Sequence, residues 1–180
     1  MSTGEAAAMA LLARLGARWT LVEHEPVFTV RESAHVTAHL PGAHTKNLFL
    51  REKSGQLWLA TCLAHRRVRI RDLERRIGAK GVSFASAEAL RDALGVEPGS
   101  VTPLALVNDA PPRVRVVLDA QMLDMDPVNV HPLRNDATVA IDAQALRAFV
   151  AATGHDAVEL DFDALEALAA EHARGRAAAG

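Results

Sequence analysis

The sequence predicts an α+β domain built around one curved, mixed sheet with helices packed outside it. Three observations carry that prediction. Strand and helix signals are interspersed along the chain without the strict βαβ rhythm of a doubly wound sheet. No internal repeat points to a solenoid or propeller. The chain has 180 residues, 49% hydrophobic and 23% charged, an ordinary globular balance with enough length to bury a substantial core. Residues 1–180 therefore read as a single domain, with about 163–180 forming a C-terminal helix and tail.

The elements follow in order. Glu5 to Leu15 is the first expected helix, stopped by Gly16. WTLVEH is a short strand. Thr29 with Glu32 three residues later has the spacing of a capping box, so a helix is expected from Val30 to about Leu40, ended by Pro41-Gly42. Strands at Lys46–Arg51 and Leu57–Leu63, joined by a turn at Lys53-Ser54-Gly55, form the clearest hairpin. RDLERRIG supplies one or two helical turns, and VSFAS a short strand. The helix AEALRDALG has Ser86 as N-cap and Gly95 as stop. After the loop EPGSVTP, the segments LALVND, RVRVVLDA, VNVHP and TVAID read as strands. Asp142 caps a helix running to about Thr153, closed by Gly154, and a last helix starts near Asp163.

Composition excludes several function classes. The net charge of −2 gives no bulk attraction to nucleic acid, so any such binding needs a local patch. One cysteine, Cys62, excludes an internal disulfide framework and fits a reducing cytoplasm; within the apolar LWLATCL it reads as a buried thiol rather than a nucleophile. The start of the chain has no basic leader before a long apolar stretch, and no uncharged apolar run approaches the length of a membrane span.

Three patterns read as ordinary structure, and a fourth has two readings. His35 and His39 have the spacing of two metal ligands on one helix face, but Val36-Thr37-Ala38 lacks the glutamate of HExxH and no third ligand is implied. GAHTKN lacks the full spacing of a phosphate loop, and its lysine precedes a strand rather than a helix. Asp124 and Asp126 are alternate carboxylates in a turn, which are usually solvated. No metal and no cofactor is expected. HRRVRIRDLERRIGAK is a local concentration of positive charge, seven basic residues from Arg66 to Lys80 against Asp72 and Glu74, and suits either a polyanion or a solvated face.

Three remaining features stand out together. Lys46-Asn47 place a cation and an amide at the mouth of an apolar strand. Gly99 to Pro103, GSVTP, is a loop of small residues whose backbone N–H groups can point into a cavity and hold an oxyanion. His131 follows VNV; alternation puts Val128 and Val130 on one face and Asn129 and His131 on the other.

With the segments EHEPVFTVRESA, LPGAHTKNLFLREKSGQLWL, RIGAKGVSFAS, LGVEPGSVTPLALVND, VVLDAQML and VNVHPLRNDATVAI, this set resembles the YbaK/ProX superfamily of aminoacyl-tRNA editing domains over most of the chain. Within it, the free-standing alanyl-tRNA(Pro) deacylases are most similar. Lys46 matches the family lysine, Asn47 the adjacent asparagine, and Gly99, Ser100, Val101, Thr102 and Pro103 the G-x-x-x-P loop. His131 matches the family histidine. The resemblance implies a barrel-like sheet and hydrolysis of alanine mischarged onto proline tRNA, a correction needed because a pocket sized for proline cannot strongly exclude alanine. It implies water as nucleophile, with the terminal ribose hydroxyl helping to position it.

The backbone N–H groups of Gly99–Thr102 then stabilise the oxyanion. On the same resemblance, Lys46 is expected to anchor the phosphate or ribose of the terminal nucleotide, Asn47 to orient the substrate, and His131 to shape the pocket floor or contact the aminoacyl group. Phe28, Val30 and Leu48 are expected as apolar sieve walls. Arg66, Arg67, Arg69 and Lys80 are expected to meet acceptor-stem phosphates. The expected partners are the acceptor end of mischarged tRNA(Pro) and either prolyl-tRNA synthetase or an elongation factor, in the cytoplasm and away from membranes. The alternatives are a Cys-tRNA(Pro) deacylase on the same scaffold and a non-catalytic tRNA-binding or synthetase-associated module.

Overall fold

The computed structural model describes residues 2–27, 32 and 35–167. Helix α1 (Thr3–Arg14) starts two residues earlier than expected because Ser2 caps it, its Oγ accepting from the Glu5 N–H at 3.1 Å. Its buried residues Ala8, Leu11 and Leu12 turn one stripe to the core. Strand β1 (Trp19–Glu23) follows. Strands β2 (Ala43–Arg51) and β3 (Leu57–Leu63) make the expected hairpin, with Thr45 opposite Leu63 and Arg51 opposite Leu57. Helix α2 (Ile70–Ile77), strand β4 (Ser83–Phe84) and helix α3 (Ala87–Leu94) come next, α3 capped by Ser86 Oγ accepting from Ala89 N–H at 3.1 Å. Strand β5 (Val114–Asp119), the short helix α4 (Ala120–Leu123), strands β6 (Val128–Val130) and β7 (Ala137–Ile141), helix α5 (Ala143–Ala152) and strand β8 (Ala157–Leu160) complete the order. Asp142 caps α5 as expected, at 2.7 Å from Ala145 N–H.

The strands form one mixed sheet in the order β1-β7-β6-β2-β3-β5-β8, with β4 added beside β2. β2/β6, β3/β5 and β5/β8 are parallel; β1/β7, β6/β7, β2/β3 and β2/β4 are antiparallel. β1 and β8 each have one neighbour among the described residues, so the sheet is open and not closed into a barrel. Both faces are covered. On one, Leu59, Val116, Val139 and Ile141 pack with α1, α3 and α5 through Leu12, Leu94, Leu146 and Phe149. On the other, Leu50, Trp58, Ala60 and Val117 pack with Leu73 of α2 and with Phe162 and Leu165.

Three expectations change. LALVND is a 3-10 helix (Pro103–Asn108), begun by Pro103 at its first turn and capped by Thr102 Oγ1, which accepts from Leu104 N–H at 3.3 Å. A short apolar run fits a buried strand or a buried turn equally well, and Pro and the cap decide it. Ala157–Leu160 forms an unexpected edge strand; only Leu160 of the four is buried, so no alternation marks it. Of the helix expected from Val30 to Leu40, Glu32, His35 and Val36 are helical, but the chain turns from Thr37 to Leu40, whose N–H bonds to the Thr37 carbonyl at 2.9 Å. His35 and His39, both exposed, therefore do not share a helix face. Phe28, Thr29 and Val30 lie outside the described residues. The last helix begins at Phe162, close to its expected start. No helix of the described residues is long and apolar enough to cross a membrane.

Candidate active site

Strand β2 is the seam of the sheet. On one side it pairs with β3 from Thr45 to Arg51. On the other, Ala43 and His44 meet β6, while Leu50 and Arg51 meet β4. Between those two pairings the outer edge of β2 has no strand partner among the described residues, and Lys46 and Asn47 lie along it. The entry to β2 is tight: Gly42 has φ +90°, and a Cβ there would sit 2.0 Å from the Pro127 carbonyl oxygen. Only glycine lets the chain come this close to β6, where Ala43 N–H bonds to the same carbonyl at 2.8 Å.

Strand alternation sends the two neighbours to opposite faces. Lys46 stands opposite Cys62 on the face that carries Leu48, Leu50 and Trp58. Its ammonium donates to the carbonyl of Arg66. Asn47 stands opposite Thr61 on the other face. The Thr61 hydroxyl donates to Asn47 Oδ1 at 2.7 Å, which leaves the Asn47 amide nitrogen pointing at the Val101 carbonyl, also at 2.7 Å. Asn47 thus joins β2 to the G-x-x-x-P loop, while Lys46 is held elsewhere.

That loop is fixed at several points. Gly99 takes φ +94°, and Ser100 N–H donates to the Glu97 carbonyl at 3.0 Å. Thr102 and Pro103 are buried and open the 3-10 helix. In a trans peptide the carbonyl and the following N–H point in opposite directions. By pulling the Val101 carbonyl toward β2, Asn47 turns the Thr102 N–H away from it. Among the described residues neither the Val101 nor the Thr102 N–H has a protein hydrogen-bond partner.

His131 lies where alternation placed it. Val128 and Val130 enter the main core, whereas Asn129 and His131 line a small polar cleft with Thr37, His44, Thr45 and Thr138. The Ala137 carbonyl can only accept, so His131 Nδ1, 3.2 Å away, carries the proton and Nε2 is left as an acceptor in the neutral ring. Burial, partly offset by that carbonyl, pushes the His131 pKa below its ordinary value. Asn129 donates through Nδ2 to the carbonyls of Pro41 and Ala43, at 2.8 and 3.2 Å, and among the described residues its buried Oδ1 has no partner. His44 and Asn129 are register partners across β2 and β6, and alternation along β2 puts His44 on the face that carries Lys46.

The basic cluster divides. Arg66 is 4% exposed, its guanidinium bonded to Asp119 at 3.1 Å, to Gln121 at 3.1 Å and to Asp163. The expectation that it meets tRNA phosphates is therefore corrected: its charge is already committed inside the fold. Arg69 lies 3.5 Å from buried Asp72. Arg67 and Lys80 are exposed, as are Arg71, Arg75 and Arg76. Cys62 is buried, and burial pushes its thiol up to about 12, so it stays protonated and is no nucleophile. Among the described residues no group of three potential metal ligands converges, and Asp124 and Asp126 are exposed.

The residues missed from the sequence are Thr61, which fixes the Asn47 amide, Asn129 and His44. Thr61 interrupts an apolar strand and Asn129 separates two valines, and a polar residue at a core position of a strand is the available signal.

The profile described as "Aminoacyl-tRNA editing domain" matches residues 24–149. The chain is 40% identical over 157 residues to the Bos taurus protein named prolyl-tRNA synthetase associated domain-containing protein 1, covering 84% of this chain and 91% of that one. It is 34% identical over 157 residues to the prolyl-tRNA editing protein ProX of Acetoanaerobium sticklandii, covering 86% and 96%. A solved structure described as a candidate trans-editing enzyme for prolyl tRNA synthetase superposes with a TM-score of 0.67 at 21% identity, covering 89% of this chain and 98% of that one, a likeness of fold. The matched span contains β2 with its lysine and asparagine, the G-x-x-x-P loop and the histidine cleft, and the chain belongs to the YbaK/ProX family of aminoacyl-tRNA editing domains.

Proposed function

We propose that this protein is a trans-editing hydrolase that deacylates Ala-tRNA(Pro). The observation that carries this reading is the Asn47 bond to the Val101 carbonyl, which aims an unpartnered backbone N–H out of the loop. Water attacks the ester carbonyl, the carbonyl oxygen becomes an oxyanion, and the ribose oxygen leaves with a proton. The N–H groups of Thr102 and Val101 receive the oxyanion; Ser100 N–H is already bonded to Glu97, which narrows the donors within Gly99–Thr102. Asn47 acts on the substrate through the loop it braces. The Nε2 lone pair of His131 accepts from the substrate's ammonium or hydroxyl group. Lys46 supplies the positive charge for the terminal nucleotide, and Leu48, two residues on along the same face, borders its path. Pro103 fixes the exit of the loop. Arg67 and Lys80, with Arg69 partly neutralised by Asp72, face the acceptor stem. The whole acts in the cytoplasm on the acceptor end of tRNA(Pro), with prolyl-tRNA synthetase or an elongation factor as its companion.

The names of several relatives, which speak only of an associated domain, favour a second reading as a non-catalytic synthetase-associated module. Deacylation of Ala-, Cys- and Pro-tRNA(Pro) by the native protein and by Lys46→Ala separates the readings. The expected result is turnover of the alanyl ester, sparing of the prolyl ester, and loss in Lys46→Ala. Turnover of the cysteinyl ester alone makes the protein a Cys-tRNA(Pro) deacylase. Tight tRNA binding without hydrolysis of any ester makes it a module.

A further inference from the structure

The Lys46 ammonium donates to the backbone carbonyl of Arg66, a residue whose buried guanidinium is itself held by three side chains. Arg66 follows the end of β3, and its N–H bonds back to the Leu63 carbonyl at 3.1 Å. Its guanidinium reaches Asp119 at the end of β5, Gln121 in α4 and Asp163 in the C-terminal helical stretch 162–167, with Glu166 at 3.9 Å. Glu166 also accepts from the Arg67 N–H at 2.8 Å, so of the two carboxylates of that stretch Asp163 holds the Arg66 guanidinium and Glu166 the backbone next to it. Phe162 and Leu165 seat the same stretch in the core that Leu48, Leu50 and Cys62 share with β2.

We infer that Arg66 and the carboxylates Asp163 and Glu166 are positioning residues for Lys46: the C-terminal helix holds the guanidinium, the guanidinium holds the loop after β3, and the loop's carbonyl holds the ammonium. This inference rests on the role given to Lys46 above. It assigns the C-terminal segment, which no part of the editing reaction otherwise uses, to the pre-alignment of the cation that meets the terminal nucleotide. A long lysine side chain loses rotamer freedom when it is held, and a pre-held cation binds its anion without that loss.

The test uses the full-length chain and the double variant Asp163→Asn/Glu166→Gln, which leaves Asp119 and Gln121 to keep the buried guanidinium paired. Replacing Arg66 itself is avoided because it would strand the fully buried Asp119 carboxylate. The rate of amine acylation is read at each lysine by mass spectrometry; Lys53 and Lys80, both outside the clamp, are internal references. Acylation of Lys46 is expected to rise about threefold or more in the double variant, with Lys53 and Lys80 unchanged. KM for the alanyl ester is expected to rise by a similar factor with kcat nearly constant, the pattern of weakened ground-state anchoring. An unchanged Lys46 rate, or equal acceleration at all three lysines, overturns the clamp. Undiminished turnover by Lys46→Ala instead removes the role of Lys46 in editing, while the acylation rates still decide whether the clamp exists.

Discussion

Replacing Asn47 by Asp is the sharpest perturbation of the proposed oxyanion site. The two side chains have the same shape, and Asp keeps an oxygen to accept from the Thr61 hydroxyl. What it lacks is the N–H that meets the Val101 carbonyl at 2.7 Å. In its place a carboxylate oxygen faces a carbonyl oxygen, so the brace becomes a repulsion and the Val101–Thr102 peptide is free to rotate. Loss of one neutral hydrogen bond and exposure of its acceptor cost about 1–3 kcal/mol of stability. The catalytic loss follows from the donor that peptide carries: removing an oxyanion donor outright costs about 100- to 1000-fold in kcat, and mis-aiming it costs about 10- to 100-fold, roughly 1.4–2.7 kcal/mol of transition-state stabilisation. Thr61→Val is the matched control. It removes the other bond of the amide but leaves the brace, so it lowers Tm with little change in kcat. Single-turnover deacylation and thermal unfolding of the three proteins supply both numbers. Asn47→Asp that folds normally and retains native kcat would refute the orienting role of Asn47.

Further outcomes follow from the titrating groups and the buried charges. Burial holds the His131 pKa below its unfolded value of about 6.5, so its contribution is fully present above that pH and is lost as pH falls through the folded value. Denaturant titrations from pH 7 to pH 5 should show stability declining, and the decline should shrink in His131→Asn. Asp109 is fully buried; burial alone would raise its pKa, but the Arg113 and Val114 N–H groups, His155 and the Arg113 guanidinium together lower it. Its contribution is present above about pH 4 and lost as pH falls through its lower folded value, and Asp109→Ala should cost about 1–3 kcal/mol by taking the acceptor from the buried Val114 N–H and from His155 Nε2, read as a drop in denaturation midpoint at pH 7. Cys62 should resist a thiol-specific reagent in the native protein and react once unfolded, and Cys62→Ala should keep native turnover at some loss of Tm.

What the sequence disclosed tracks what is local. The hairpin of β2 and β3, the Ser86 and Asp142 caps and the Gly95 stop all depend on side chains within a few residues of one another, and all are where local chemistry puts them. The 3-10 helix at Pro103–Asn108 escaped because its apolar run has no period. Residues 157–160 escaped because an edge strand with one buried residue leaves no pattern. Arg66 shows the limit most clearly. In the chain it stands among other arginines, near Asp72 and Glu74, and reads as one more cation of a patch that faces phosphates or solvent. Its partners Asp119 and Asp163 lie 53 and 97 residues further on, and nothing near Arg66 announces them.

Lys46 and Asn47 show the converse error. Adjacency in a strand guarantees that two side chains face opposite ways, so the pair that reads as one feature serves two faces of the sheet. Their joint position matters for a different reason. Both lie where, among the described residues, the outer edge of β2 has no strand partner between β6 and β4, so the described sheet is interrupted between its two faces at that point. A substrate whose ester reaches the loop braced by Asn47 can therefore keep its terminal nucleotide on the side of Lys46 and His44. If this is so, Leu48→Trp, which adds bulk beside Lys46 without touching the loop, should raise KM and leave kcat for bound ester nearly intact. A fall in kcat at constant KM would place the nucleotide elsewhere.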